Sequence, residues 1–271
     1  MPQVRIKEYK KPLHKEVVFY FCSMQKLLAY PLTFLYLMFF SLCLLIFHPI
    51  QWICFNVFGY ESHRASVALL NLCLMRCTHF LGTTYTFGNP HNIPTDLPLI
   101  IVPNHQSMHD IPPIIWYMRK HHPKFVSKKE LGHGIPSVSY NLRHGGSVLI
   151  DRKDSRQSLA QIAKLGRYIE EYNRSAVIFP EGTRSRTGHP KPFKATGLKL
   201  LMKNSPSALV VPISINNSWK MLRYGKFPNG IGNHISFQVH RPIAVTKDLD
   251  TILLETEKAV VSGITSFQSP K

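Results

Sequence analysis

The stretch PLIIVPNHQSMHDIPP (98–113) breaks an apolar run with a histidine, and an aspartate follows five residues after it. A neutral imidazole with a pKa near 6.5 can take a proton from a hydroxyl as that hydroxyl attacks. A carboxylate on the other ring nitrogen would fix the tautomer and stabilise the imidazolium. Spacing decides where the pair must sit. Five residues along a helix turn through roughly 500°, which leaves the side chains about 140° apart. His105 and Asp110 therefore meet only if His105 lies in a loop and Asp110 opens the next helix. Pro103 before and Pro112-Pro113 after support that placement, because proline is tolerated in a first helical turn and not deeper. The same placement also suits a plain N-cap at Asp110. His105 and His109 stand four apart, as zinc ligands on a helix do, but a loop position for His105 breaks the shared face.

The attacking group is the next question. No cysteine follows Cys77, so a thiol acyl-enzyme in the body is excluded. No G-x-S-x-G elbow occurs. Ser107 between loop and helix reads as a cap, which assigns the attacking hydroxyl to a substrate. A second cluster, FPEGTRS (179–185), also follows an apolar run. There a carboxylate (Glu181), a glycine (Gly182) that lets the backbone come close, a hydroxyl (Thr183) and a guanidinium (Arg184) share one tight loop. Arginine's planar fork matches a phosphate with two parallel hydrogen bonds. Arg152, after another apolar run, is a second candidate prong. Each arginine alone reads equally as a solvated surface charge.

These clusters need elements to hold them. Short apolar runs at 97–103, 124–128, 146–151, 175–180, 208–215 and 234–240 read as strands, the last by alternation. Helical patterns separate them at about 110–120, 154–173 and 250–266. Leu159, Ile162, Ala163, Gly166 and Ile169 form one stripe of the middle helix. Strands alternating with helices predict an α/β fold with a mostly buried central sheet flanked by helices. In such sheets ligands gather at the loops leaving the strand ends, where NHQSMHD, DR and EGTRSR all fall.

The front of the chain differs. From Leu27 to Tyr60 no Asp, Glu, Lys or Arg occurs in 34 residues. Pro31 and Pro49 divide this run and leave 17 residues between them, a helix of roughly 25 Å, just short of the hydrocarbon core. It reads as one spanning helix or as a bent helical pair set in one leaflet. A cleaved signal peptide or a buried soluble helix fits less well. Arg5, Lys7, Lys10, Lys11, Lys15 and Lys26 precede it against Glu8 and Glu16, which puts the N-terminus and the active site on the cytoplasmic side. A further apolar helix is expected at 65–82. The division predicted is a basic flank with a membrane-associated helical element over 1–82, and a catalytic domain over 83–271.

Net charge is +18, and residues 119–203 hold 18 Lys/Arg against 6 Asp/Glu. Such a surplus implies an anionic partner. Nucleic acid is not favoured: it would leave the apolar front unexplained, and no nucleic-acid motif occurs. The five cysteines, Cys22, Cys43, Cys54, Cys73 and Cys77, make a poor disulfide framework and read as packed thiols. No cysteine and histidine cluster has metal spacing.

Four blocks in order resemble the glycerolipid acyltransferase family, whose best-known members are the 1-acylglycerol-3-phosphate acyltransferases. NHQSMHD is similar to the family's N-H-x-S-x-x-D, GGSVLIDR to its second block, FPEGTRS to its third and VPI (211–213) to its fourth. FVSKKEL (125–131) resembles the segment between the first two. The resemblance covers about 98–215. It implies His105 as general base and Asp110 as its orienting partner. It places Arg152, Glu181, Gly182, Thr183 and Arg184 around an acceptor phosphate. Lys128 and Lys129 are left to the phosphate, the donor or the surface. The implied reaction moves an acyl group from acyl-CoA or acyl carrier protein to lysophosphatidic acid, without metal or cofactor, at a membrane that is expected to be anionic. Glycerol 3-phosphate or another lysophospholipid is the nearest alternative acceptor, and a non-catalytic cationic membrane-binding protein is the alternative of a different class.

Overall fold

The structure, a computed structural model, describes residues 13–265, with side chains from residue 24 onward. Two helices come first, α1 (Leu13–Phe58) and α2 (Tyr60–Cys77). Strands β1 (Thr84–Gly88) and β2 (Leu99–Pro103) follow, then α3 (Ile111–Tyr117) and β3 (Pro123–Lys128). Next come α4 (Val138–His144), β4 (Val148–Ile150), α5 (Ser155–Tyr172) and β5 (Ser175–Val177). The last elements are α6 (Ala195–Asn204), β6 (Leu209–Asn216), β7 (His234–Val239), β8 (Ile243–Ala244) and α7 (Leu249–Ser262). All six strands read from the sequence are present, as β2 to β7.

The eight strands form one sheet in the order β1-β7-β6-β2-β5-β3-β4, with β8 beside β6. β6, β2, β5, β3 and β4 run parallel; β7 and β8 are antiparallel to β6. Strand β2 shows why the fold has three layers. Leu99, Ile100, Ile101 and Val102 are all fully buried. Alternation sends Leu99 and Ile101 to one face and Ile100 and Val102 to the other. The first face packs on Tyr36 of α1, Val67 and Cys77 of α2, and Ile114 and Ile115 of α3. The second packs on Ile162, Leu165 and Ile169 of α5, Leu198 and Leu201 of α6, and Ile252 of α7. A strand covered on both faces must be apolar throughout, which is how β2 reads.

Strand β1 was not expected. It pairs with β7 at the sheet edge and is half-exposed, and its Thr84 and Thr86 hydroxyls both bond His234. An edge strand with a threonine face looks polar and loop-like in sequence.

The front end also departs from expectation. Pro31 and Pro49 do not divide it: α1 is one helix of 46 residues that carries both. An interior proline costs about 3 kcal/mol. Continuous packing on both sides of each proline offsets this. Ala29, Thr33 and Tyr36 are fully buried around Pro31, and Leu44 and Gln51 are buried around Pro49. The break falls instead at Gly59, with φ of 81 and ψ of -169 degrees. Only glycine adopts that backbone conformation without strain. Helix α2 accordingly begins at Tyr60, ahead of the expected start, and runs into a 3-10 turn at Thr78–Leu81. The opposite face of α1 exposes Leu27, Phe34, Leu37, Met38, Leu42, Leu45, Ile46, Trp52, Ile53 and Phe58. Cys77 is buried and Cys43 half-buried, both as free thiols, with their sulfurs 3.8 Å apart between α1 and α2. The basic flank 1–12 lies outside the described residues.

Candidate active site

Parallel order puts the ends of β2, β5, β3, β4 and β6 along one edge of the sheet. Neighbouring β2 and β5 hold the two clusters that the sequence singled out. Asn104 anchors the first. Its amide donates to the Ile215 carbonyl at 3.0 Å and accepts from the Ile215 N–H at 2.7 Å, so it extends the β2–β6 ladder by one side chain. Val211, Pro212 and Ile213, the short fourth block, lie in β6 opposite β2 and are buried scaffold.

His105 lies in the loop and Asp110 in the following 3-10 turn, and they meet. Nδ1 of His105 is 2.8 Å from Oδ2 of Asp110, with the imidazole side chain 12% exposed and the carboxylate fully buried. The same oxygen accepts from the backbone N–H of Gln106 at 2.7 Å and of Ser107 at 2.9 Å. Ser107 is the cap. Its hydroxyl accepts from His109 N–H, and Asp110 answers as the third residue of a capping box. Asp110 is thus not the N-cap that its sequence position suggested. Ser107 also bonds Ser218, which ties the turn to the loop after β6. Phe179 stacks on the His105 ring, with centroids 4.1 Å apart. Nε2 of His105 makes no hydrogen bond among the described residues. Its partner nitrogen is held by a carboxylate that three donors fix in place, so the ring presents a basic nitrogen in a set orientation.

His109 read from sequence as a spacer or a metal partner. It is neither a spacer nor part of a shared face with His105. It is buried, and Nε2 bonds the Tyr36 hydroxyl of α1 at 3.1 Å. Burial, more than any charge, pushes its pKa down to about 4; Asp110 opposes this and the Arg184 cation adds to it. It joins the site loop to the first helix as a neutral ring. Nothing in the sequence linked Tyr36 to this distant histidine.

The FPEGTRS loop is bound to the histidine loop at two points. Glu181 accepts from the His105 N–H at 3.1 Å, and Ser185 N–H donates to the His105 carbonyl at 2.7 Å. Glu181 is 3% exposed. Burial pushes its carboxyl up to about 7, against the lowering pull of the His105 N–H and the Lys191 ammonium. Gly182 has a positive φ, and a Cβ there would come within 3.1 Å of Lys194 Nζ. Lys191 Nζ donates to the Thr183 hydroxyl and to the Arg184 carbonyl, each at 2.9 Å. The Arg184 side chain is exposed. Lys191 and Lys194 add two cations to this loop that motif reading passed over, although "KPFK" signals them by charge.

The remaining candidates lie farther along the edge. Lys129 pairs with Asp151 at 2.8 Å, while Lys128 is exposed and makes no hydrogen bond or ion pair among the described residues. Two strand spacings, roughly 10 Å, separate β4 from β5. Arg152, just past β4, is exposed and shares no hydrogen bond or ion pair with the Arg184 loop among the described residues.

The Glu181 geometry makes a pH prediction. Its folded pKa lies above the unfolded value of about 4.3, so the native state holds the extra proton between those limits. Stability from this group is therefore fully present at low pH and lost as pH rises through about 7. Glu181→Gln keeps the acceptor for His105 N–H and removes the titration. Urea unfolding at pH 5 and pH 8 should show wild type losing on the order of 1–3 kcal/mol relative to this variant. Parallel pH profiles for the two proteins would refute the assignment.

Residues 84–216 match the family described as Acyltransferase. A 1-acyl-sn-glycerol-3-phosphate acyltransferase of Helicobacter pylori is 37% identical over 134 residues, 46% of this chain and 54% of that protein. One of Borreliella burgdorferi is 29% identical over 208 residues, 77% of this chain and 79% of that protein. The chain thus spans only about half the length of the Helicobacter relative. The crystal structure of the 1-acyl-sn-glycerophosphate (LPA) acyltransferase PlsC from Thermotoga maritima superposes with a TM-score of 0.73. The superposition covers 89% of this chain and 95% of that one at 22% identity, a likeness of fold. With the His105 and Arg184 loops both inside the matched residues, the chain belongs to the acyltransferase family and is similar to its 1-acyl-sn-glycerol-3-phosphate acyltransferases.

Proposed function

We propose that the protein transfers a fatty acyl group from a thioester donor, acyl-CoA or acyl carrier protein, to the free hydroxyl of lysophosphatidic acid, giving phosphatidic acid. The observation that carries this is the 2.8 Å His105–Asp110 pair, with Nε2 left open beside the Arg184 loop. In the proposed step Nε2 takes the acceptor's hydroxyl proton as its oxygen bonds to the thioester carbonyl carbon. The tetrahedral intermediate then collapses, the carbon–sulfur bond breaks, and the imidazolium returns the proton to the leaving thiolate. Asp110 holds the ring and stabilises its charge. The step uses no metal or cofactor.

Arg184 is the candidate phosphate fork, with Lys191 and Lys194 as added positive charge and Gly182 as a backbone that can approach closely. Glu181 and Thr183 act as positioning residues, toward His105 and Lys191 respectively. Lys128 is better placed than Lys129 to reach a ligand, since Asp151 already engages Lys129. Arg152 would act toward the donor or toward the far end of the acceptor.

The same reading puts α1 in one leaflet of a membrane. Its packed stripe runs from Ala29 to Phe55. At the helical rise that is roughly 40 Å of helix lying along the body. Crossing the bilayer would pull α2, α4 and their polar contacts with α1, such as Ser137 N–H to His48, into hydrocarbon. Lying in the interface buries only the exposed apolar stripe. The basic flank supports a cytoplasmic position for this surface.

The test is thioester release with lysophosphatidic acid, glycerol 3-phosphate and lysophosphatidylcholine offered side by side, on protein floated with vesicles. Turnover at least about tenfold faster with lysophosphatidic acid is expected. Equal rates with all three would sink the acceptor assignment. Failure of the protein to float in high salt would sink the leaflet placement.

A further inference from the structure

A second polar site lies at the opposite edge of the sheet. Lys124 is the second residue of β3 and Lys128 the last. Four steps of strand, roughly 13 Å, separate them. Lys124 is 6% exposed, and its ammonium makes no ion pair among the described residues. It faces the Tyr60 ring, whose centroid is 4.8 Å away. Burial, then the Arg174 and Arg64 cations, push its pKa down to about 7. A buried cation without a carboxylate costs several kcal/mol unless something compensates it.

Lys124 lines a cavity of about 30 Å³ together with His63, Arg64, Arg119, His122 and Ser147. A single water needs roughly 10–15 Å³, so this space holds more than one. His63 is 1% exposed, and its Nε2 has no hydrogen-bond partner. The Ser147 hydroxyl accepts from Phe125 N–H, which leaves its own proton to give. Glu61, the acid beside the cluster, is already engaged by Arg64 at 2.6 Å. Arg174 lies over Tyr60 at 3.8 Å and adds a further positive charge. The cavity is therefore rich in donors and positive charge, with no free carboxylate among the residues that line it.

We propose that this cavity binds a phosphate-type oxyanion, held by Lys124, His63 and Ser147 within it and by the Arg64 and Arg119 guanidinium groups. Two sources share that chemistry. One is free phosphate. The other is the headgroup of an anionic phospholipid, because the exposed Val57 and Phe58 of α1 immediately precede Gly59 and Tyr60 at this cluster. The site is separate from the His105 edge and does not depend on the reaction proposed there.

Calorimetric titration of inorganic phosphate into the full chain carrying Arg184→Ala tests it, since that change weakens the other phosphate candidate. One binding event is expected to remain. Adding Lys124→Met should weaken it at least about tenfold. That variant removes a buried charge and keeps the stem; should it fail to fold, Ser147→Ala should weaken binding about threefold. No phosphate binding in the Arg184→Ala protein, or equal binding with and without the second change, overturns the proposal. Vesicles of phosphatidylcholine with and without phosphatidylglycerol separate the sources. A headgroup site makes phosphatidylglycerol-dependent flotation sensitive to Lys124→Met and to competing phosphate. A free-phosphate site leaves flotation unchanged while calorimetry still shows the event.

Discussion

His105→Ala is expected to lower acyl transfer from a thioester to lysophosphatidic acid by a factor of about 10² or more, with unfolding little changed. The ring is at the loop surface and its side chain bonds only Asp110, so few contacts are lost besides the Phe179 stack. The backbone bonds from Glu181 and Ser185 do not involve the side chain and survive. Steady-state thioester release with matched circular dichroism spectra measures this. A variant with near-wild-type turnover would refute His105 as the base, whatever its stability.

Asp110 has two duties, and two substitutions separate them. Asp110→Asn keeps an oxygen for the Gln106 and Ser107 N–H groups but turns an amide N–H toward His105 Nδ1. That favours the tautomer with its proton on Nε2, which cannot accept another. Loss of turnover of order 10³–10⁴ is expected, with modest loss of stability. Asp110→Ala removes the acceptor altogether and leaves buried donors at Gln106, Ser107 and His105 unpaired. It should be as inactive and also less stable by about 2–4 kcal/mol. Combining Asp110→Asn with His105→Ala should cost no more than the worse single change, because both remove one base. Additive losses would show that Asp110 acts on something other than the ring. Activity by coupled thiol detection and stability by urea unfolding give both readouts.

The legible part of this chain was its sheet and its two loops. Fully buried parallel strands are apolar without interruption, so β2, β5 and β6 stood out. Asp110 could meet His105 only across a loop-to-helix turn, and that is where the structure has it. What stayed hidden depended on partners distant in sequence. Tyr36 and His109 are 73 residues apart, and the Asn104–Ile215 clamp spans 111. No local pattern encodes either. Pro49 pointed to a helix end that packing overrode, whereas Gly59 supplied the break through a backbone angle that its neighbours cannot adopt. Glu181 was grouped with the phosphate by motif; its burial against the His105 backbone is a tertiary fact.

The continuity of α1 sets how this protein can be made soluble. Deleting the helix would not yield a smaller free-standing domain. It would strip Tyr36 from the sheet's core, leave His109 Nε2 and Asn229 N–H without the Tyr36 and Thr33 oxygens, and open Val67 and Cys77 to water. The workable route is repainting: glutamate and lysine placed at the exposed Phe34, Leu37, Leu42, Leu45 and Trp52, with the inner stripe untouched.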